Sequence, residues 1–308
     1  MIFLLESVYK DYLWGGQKLR SHYHKDTTMT PLAESWEISC HPDGESMIAS
    51  GVHKGETLST YLSQHPLALG TNGATTDRFP VLVKLIDAKK DLSVQVHPND
   101  DYGLRVENEL GKTEVWYVLE ADPGAELIMG YKEETSKEAV AKAVEEGRLM
   151  EILNTVPVVP GDVFFIEAGT VHGIGAGITL IEIQQNSNTT YRVYDYDRVG
   201  KDGKKRPLHL DKALDVMTYG PARRQLWETP VIAHCEYFHV EVHSVDGSAE
   251  FKVTAESFQG LTCVEGSLDI TQGEDVITLI KGSSAFVTAE ETTYIVKGQG
   301  KVIVTSLP

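Results

Sequence analysis

What most constrains this chain of 308 residues is the brevity of its apolar segments. Strand-length runs, many alternating apolar with polar residues, are closed repeatedly by glycine, asparagine or aspartate, and from Thr229 to Pro308 there is little else. Alternation with period two sends one face of a segment into a core and the other toward water or a second sheet. Many short strands at close spacing with glycine turns predict a sandwich or barrel of jelly-roll type, so the fold class is read as mainly β. One stretch departs from this pattern. Ala139, Val140, Ala143, Val144, Leu149 and Ile152 recur at helical spacing between Ser136 and Leu153, which predicts one helix there. Shorter helices are expected over residues 57–67, opening near Thr57 or Ser59, and over residues 209–219. Residues 1–50 read as strands at a sheet edge, with loops at 70–76 and 199–206.

Three segments between Leu92 and Arg192 carry the chemistry. In Ser93-Val94-Gln95-Val96-His97, alternation puts Gln95 and His97 on one strand face and Val94 and Val96 on the other. A polar link leads to Lys112-Thr113-Glu114-Val115-Trp116-Tyr117-Val118-Leu119, a β-rich run that begins with a base and a carboxylate. The third, Gly161-Asp162-Val163-Phe164-Phe165-Ile166-Glu167-Ala168-Gly169-Thr170-Val171-His172, reads as strand, turn and histidine. Together they offer two imidazoles, one carboxylate and one amide oxygen, a donor set that suits a borderline divalent ion such as zinc. Because the amide is a weak neutral donor, an open position for substrate is expected rather than a closed structural site.

Within Phe79–Ala88, Lys84 interrupts a run that otherwise reads as a buried strand. An unpaired buried ammonium costs several kcal/mol or loses its proton, so Lys84 either pairs with a neighbouring acid or has a function. Trp14 and Trp36 are read as core or rim packing, with pocket lining as the alternative. His22, His24 and His41 lie among polar residues and are expected at the surface.

Lys plus Arg number 28 against 45 Asp plus Glu, a net charge of −17, which argues against nucleic acid or an anionic membrane as partner. An anionic substrate would need a local basic pocket. The start, Met1-Ile2-Phe3-Leu4-Leu5-Glu6, lacks a basic region before its apolar residues, and no apolar run reaches membrane-spanning length; a cytoplasmic location is expected. Cys40, Cys235 and Cys263 are far apart and odd in number, which fits reduced thiols.

The third segment has the spacing Gly-x5-Glu-x-Gly-x2-His, which resembles the second cupin motif with Glu167 in place of the usual proline. Gln95-x-His97, with Glu114 displaced by a longer loop, resembles the first. Read with His97-Pro98-Asn99-Asp100 and Asn188-Thr189-Thr190-Tyr191-Arg192-Val193-Tyr194-Asp195-Tyr196-Asp197, the chain resembles the short bacterial form of the type I mannose-6-phosphate isomerases over at least residues 9–220. A weaker echo runs from Gly282 to Thr293, where Thr293 falls at the position of His172. The resemblance implies two cupin domains with a few short helices beside the first: residues 1–225, catalytic and metal-binding, and residues 226–308, cupin-like and metal-free.

It further implies one Zn²⁺ per chain held by His97, Glu114, His172 and Gln95, and interconversion of mannose 6-phosphate and fructose 6-phosphate through an enediol. The partner expected is therefore a phosphorylated hexose. Negative charge developing on the enediolate oxygen is what zinc would stabilise. Arg192 matches the family's active-site arginine, Lys112 the lysine two residues before the metal-binding glutamate, and Lys84 is the other positional match for acid–base or phosphate duty. Gly111 stands where larger members have a histidine, and Asn188 where they often have an aspartate, so a mechanism relying on either group is in doubt here. Tyr191, Asp195 and Asp197 either shape the pocket or support it. Two rival readings remain: an Fe(II) or Mn(II) dioxygenase on the same scaffold, and a sugar-responsive binding module without turnover.

Overall fold

The computed structural model describes residues 1–73, 76, 78–200 and 203–308. Residues 74, 75, 201 and 202, within the two expected loops, lie outside that description, as does residue 77. The predicted alternation is realised as antiparallel sheet. One six-stranded sheet runs in the order Val163–Ile166, Glu114–Ala121, Ile178–Gln185, Val81–Ala88, Glu34–Ile38, Val8–Lys10. Facing it is a five-stranded sheet in the order Leu153–Pro157, Glu126–Tyr131, His172–Ile174, Val94–Val96, Tyr191–Tyr194. The last eighty residues form most of an eight-stranded sheet built on two long strands, His239–Val253 and Thr292–Ser306, paired along their whole length. The chain is mainly β, with cupin-type jelly rolls, and the helices of the described residues fall between Lys18 and Val216.

The first strand belongs to the last sheet: Ile2–Glu6 pairs with Ser284–Val287 on one side and Met47–Ile48 on the other. Beneath it a buried polar cluster joins distant parts of the chain. Lys25 Nζ lies 2.6 Å from Glu37 Oε1 and donates to the carbonyl of Gly282, while Ser284 Oγ donates to Glu37 Oε2 at 3.1 Å.

Three local readings are corrected. The helix expected from Ser136 to Leu153 is two: Lys137–Glu145, capped by Ser136 accepting from the Ala139 amide, and Leu149–Ile152. Gly147 separates them in the left-handed region (φ +69°), where a helix cannot continue, and the next strand starts at Leu153 rather than Pro157. The polar link after His97 contains the helix Asp100–Glu107. Asn99 accepts from the Tyr102 amide, Asp100 and Asp101 occupy the positive first turn, and Asn108 ends the helix at φ +56°. Nor are residues 1–50 all at an edge. Val8–Lys10 is an edge strand, but Glu34–Ile38 lies inside the six-stranded sheet with every residue buried, Trp36 completely so.

Candidate metal centre

Strand register builds this site. Across three neighbouring strands of the five-stranded sheet, His172 stands opposite Gln95 and Gln95 opposite Arg192, so the three form one cross-strand row. A second row crosses the six-stranded sheet: Trp36 opposite Lys84, Lys84 opposite Glu182, Glu182 opposite Trp116. Glu114 precedes Trp116 by two residues and therefore shares its face. The rows meet inside the barrel, where the Trp116 and His172 rings make an edge contact with centroids 5.4 Å apart. Val94 and Val96, on the opposite face from Gln95 and His97, are buried in an apolar cluster with Val171, Tyr191 and Val193. This packing holds the strand that carries the polar pair.

His97, Glu114 and His172 converge so that one ligand atom from each lies within 4.8 Å of the others, all three fully buried. His172 Nε2 is 3.4 Å from Glu114 Oε1, and His97 Nε2 is 3.7 Å from Glu114 Oε2. Each histidine holds its Nδ1 2.8 Å from a carbonyl oxygen, Thr189 for His97 and Thr170 for His172. A carbonyl only accepts, so both Nδ1 atoms carry hydrogen and both Nε2 lone pairs face the carboxylate, the tautomer a metal ligand needs. Burial lowers both imidazoles, His97 well below the ordinary value and His172 to about 4. Burial, with the nearby Glu182 charge, pushes Glu114 up to about 8, against the pull of Lys112. Neither Glu114 oxygen receives a well-formed hydrogen bond among the described residues. A buried carboxylate left in this condition beside two unprotonated nitrogens fits a divalent cation.

Gln95 lies at the edge of this group. Its Nε2 is 3.4 Å from His172 Nε2 and its Oε1 accepts from Ser93 Oγ at 3.3 Å, so a half-turn of the amide is needed to present oxygen to a metal.

The expected surface pairing of Lys112 with Glu107 or Glu109 does not occur. Lys112 is buried with Nζ 3.0 Å from Glu114 Oε2, 3.3 Å from His97 Nε2 and 3.8 Å from Glu182 Oε1. Lys84 does pair with an acid, at 3.2 Å from Glu182 Oε1. Burial alone would lower the Lys84 ammonium, but Glu182, with Glu34 and Glu114, outweighs it and raises the group. Burial likewise opposes Glu182, yet the two lysines and the Trp116 indole N–H, donating at 2.9 Å, hold it down to about 2.

A cavity of about 120 Å³ opens beside the donor set, lined among others by Tyr12, Trp14, Gln95, Lys112, Arg192 and Arg206. Arg192 Nε is buried with no partner among the described residues, whereas Arg206 and Arg198 both donate to the half-sequestered Asp195 carboxylate. Tyr191 turns away to donate to Glu107 at 2.9 Å, and Asp197 is exposed beside Lys205. Sequence reasoning passed over Glu182, although an acid inside Ile178–Gln185 is the same signal that marked Lys84; Tyr12, Ser93 and Arg206 carried no such mark. His41 is also corrected: it is buried, edge-on to Trp36 with centroids 5.8 Å apart, because the Cys40–His41 strand folds back over that indole.

Residues 2–146 match the family model of the phosphomannose isomerase type I catalytic domain, and residues 228–307 that of the mannose-6-phosphate isomerase cupin domain. A Streptococcus mutans protein named mannose-6-phosphate isomerase is 40% identical over 91% of this chain and 90% of its own length. A Bacillus subtilis protein of that name is 38% identical over 97% of both chains. The crystal structure of the mannose 6-phosphate isomerase from Bacillus subtilis superposes with a TM-score of 0.91 at 33% identity, covering 99% of each chain.

Proposed function

This chain belongs to the type I phosphomannose isomerase family, an enzyme family, and from that premise we propose that it interconverts D-mannose 6-phosphate and D-fructose 6-phosphate with a zinc ion held by His97 Nε2, Glu114, His172 Nε2 and Gln95 Oε1. The observation that carries the reading is the buried His97, Glu114 and His172 cluster opening on a pocket that also holds Lys112 and Arg192. Zinc bound there would supply Lewis acidity where negative charge develops on the sugar oxygens, without redox chemistry.

The remaining chemistry belongs to side chains. A proton must leave C2 of the aldose and return at C1, and the hydroxyl proton must move between the two oxygens. Lys112 Nζ, within 3.3 Å of two metal donors, is assigned the proton transfer at the reacting end of the sugar. Lys84 and Glu182 hold Lys112 in place and balance its charge. Arg192, barred from base duty by its permanent charge, brings an unspent buried N–H to the developing anion. Arg206, with Arg192 in the pocket lining, is assigned the phosphate end, since the carboxylates that neutralise Lys84 and Lys112 do not neutralise these guanidinium groups. Residues 1–225 are assigned as the catalytic unit and residues 226–308 as its metal-free support, a division consistent with helices confined to the former.

The test is conversion of fructose 6-phosphate to mannose 6-phosphate by wild type, His172→Ala and Arg192→Ala, with oxygen uptake recorded in parallel. Turnover by wild type alone, with no oxygen consumed, is expected. Oxygen consumption without sugar isomerisation would transfer the site to the dioxygenase reading.

A further inference from the structure

The largest cavity of the described residues, about 630 Å³, is not the one beside the donor set. It lies between the Cys40–His41 strand, the helix Leu58–Gln64, the end of the helix Asp100–Glu107 and Asn186, and it shares no lining residue with the metal pocket. Leu62, Leu69 and Phe79 give it an apolar side. Two polar side chains on the other side are more than nine-tenths buried and unpartnered among the described residues: His41 Nε2 and Asn186 Oδ1.

Their hydrogen-bonding roles can be assigned. The Asp43 amide donates to His41 Nδ1 at 3.1 Å, so Nδ1 is the acceptor and Nε2 carries the hydrogen; burial keeps the ring neutral. The orphaned donor is thus His41 Nε2–H and the orphaned acceptor is Asn186 Oδ1. Glu109 lies 3.7 Å from His41 Nε2 through one oxygen and 3.7 Å from Arg78 through the other, too far for direct hydrogen bonds. A buried donor and acceptor left open each cost about 1–3 kcal/mol, a penalty that a bound molecule removes.

We propose that this cavity is a second small-molecule site and that its occupant is an uncharged hexose. A hydroxyl both donates and accepts, so vicinal hydroxyls close His41 Nε2–H, Asn186 Oδ1 and the Glu109 carboxylate together. The C–H face of a pyranose covers the Phe79 and Leu62 side. A phosphorylated sugar is disfavoured because Glu107 and Glu109 outnumber Arg78, the reverse of the arginine-lined metal pocket. The segment between the cavities is shared: Asn186 lines one, Asn188 lines the other, and Asn188 donates at 2.7 Å to Asp43 beside His41.

The experiment is saturation-transfer NMR with D-mannose, D-glucose and D-fructose on the full chain, comparing wild type with Ser63→Trp, Asn186→Ala and Arg192→Ala. Ser63 is exposed on the helix that walls the cavity, so the indole fills the space without disturbing the core. At least one hexose is expected to bind wild type and Arg192→Ala equally, about tenfold more weakly to Asn186→Ala, and not to Ser63→Trp, whose isomerase activity stays unchanged. Loss of the signal in Arg192→Ala with its retention in Ser63→Trp would put the sugar in the metal pocket and overturn the proposal. Absence of binding by all three hexoses to wild type would overturn it equally.

Discussion

Replacing Glu182 with glutamine tests the electrostatics beneath the site. The carboxylate is buried with Lys84 Nζ at 3.2 Å and Lys112 Nζ at 3.8 Å from one oxygen and the Trp116 N–H on the other. At an effective dielectric of about 20 these two attractions are worth roughly 5 and 4 kcal/mol. Their sum is not lost in full, because Glu114 still faces Lys112 at 3.0 Å and Lys84 can release its proton instead. The expected loss is that of breaking a buried pair, about 3–5 kcal/mol at pH 7. Sign then follows from linkage. In wild type Lys84 is raised above its unfolded value, so its contribution is full below about pH 10.5 and fades as pH climbs through the folded value. In Glu182→Gln burial goes unopposed by that partner and depresses Lys84, so the unfolded chain binds the extra proton and stability rises with pH up to about 10.5. The gap between the two proteins should therefore narrow from pH 7 to pH 10. Urea denaturation at both pH values measures it. A loss below about 1 kcal/mol, or a gap constant across that range, would refute the reasoning.

Other substitutions probe neighbouring parts. Gly111→Ala places a Cβ 2.6 Å from the Asn99 carbonyl carbon and the Asp100 amide nitrogen, backbone that cannot yield cheaply, so thermal or urea unfolding should reveal a loss of roughly 1–3 kcal/mol. In chelator-treated protein, Glu114, with a folded value near 8 against 4.5 in the unfolded chain, holds its proton more tightly when folded; its contribution falls as pH rises from 4.5 to 8, and Glu114→Gln should flatten that part of the stability profile. Arg192→Lys keeps the charge but loses the planar fork, and steady-state kinetics should record a drop in kcat of about 100-fold with a smaller change in KM.

Much of this site was legible because β alternation assigns faces without reference to tertiary structure. Gln95 and His97 share a face by parity, and their register with His172 and Arg192 turns that parity into a row. What stayed hidden depended on pairing between strands far apart in sequence. Glu182 is an ordinary acid until it stands opposite Lys84, and the Ile2–Glu6 strand gives no local sign that it joins Ser284–Val287. The helix Asp100–Glu107 was missed for a local reason: its low apolar content masks the helical period, although Asn99-Asp100-Asp101 is a sound start signal. His41 read as a surface residue because polar neighbours in sequence say nothing of the indole it packs against.

The central claim is that the cluster of His97, Glu114 and His172 holds the metal on which isomerisation depends. Its most direct test is titration of zinc into chelator-stripped protein, following bound metal and mannose 6-phosphate formation in the same samples. Turnover rising in step with occupancy and levelling at one zinc per chain, with neither seen in Glu114→Ala, is the predicted result. Full turnover by protein free of metal, or zinc uptake undiminished in Glu114→Ala, would contradict it.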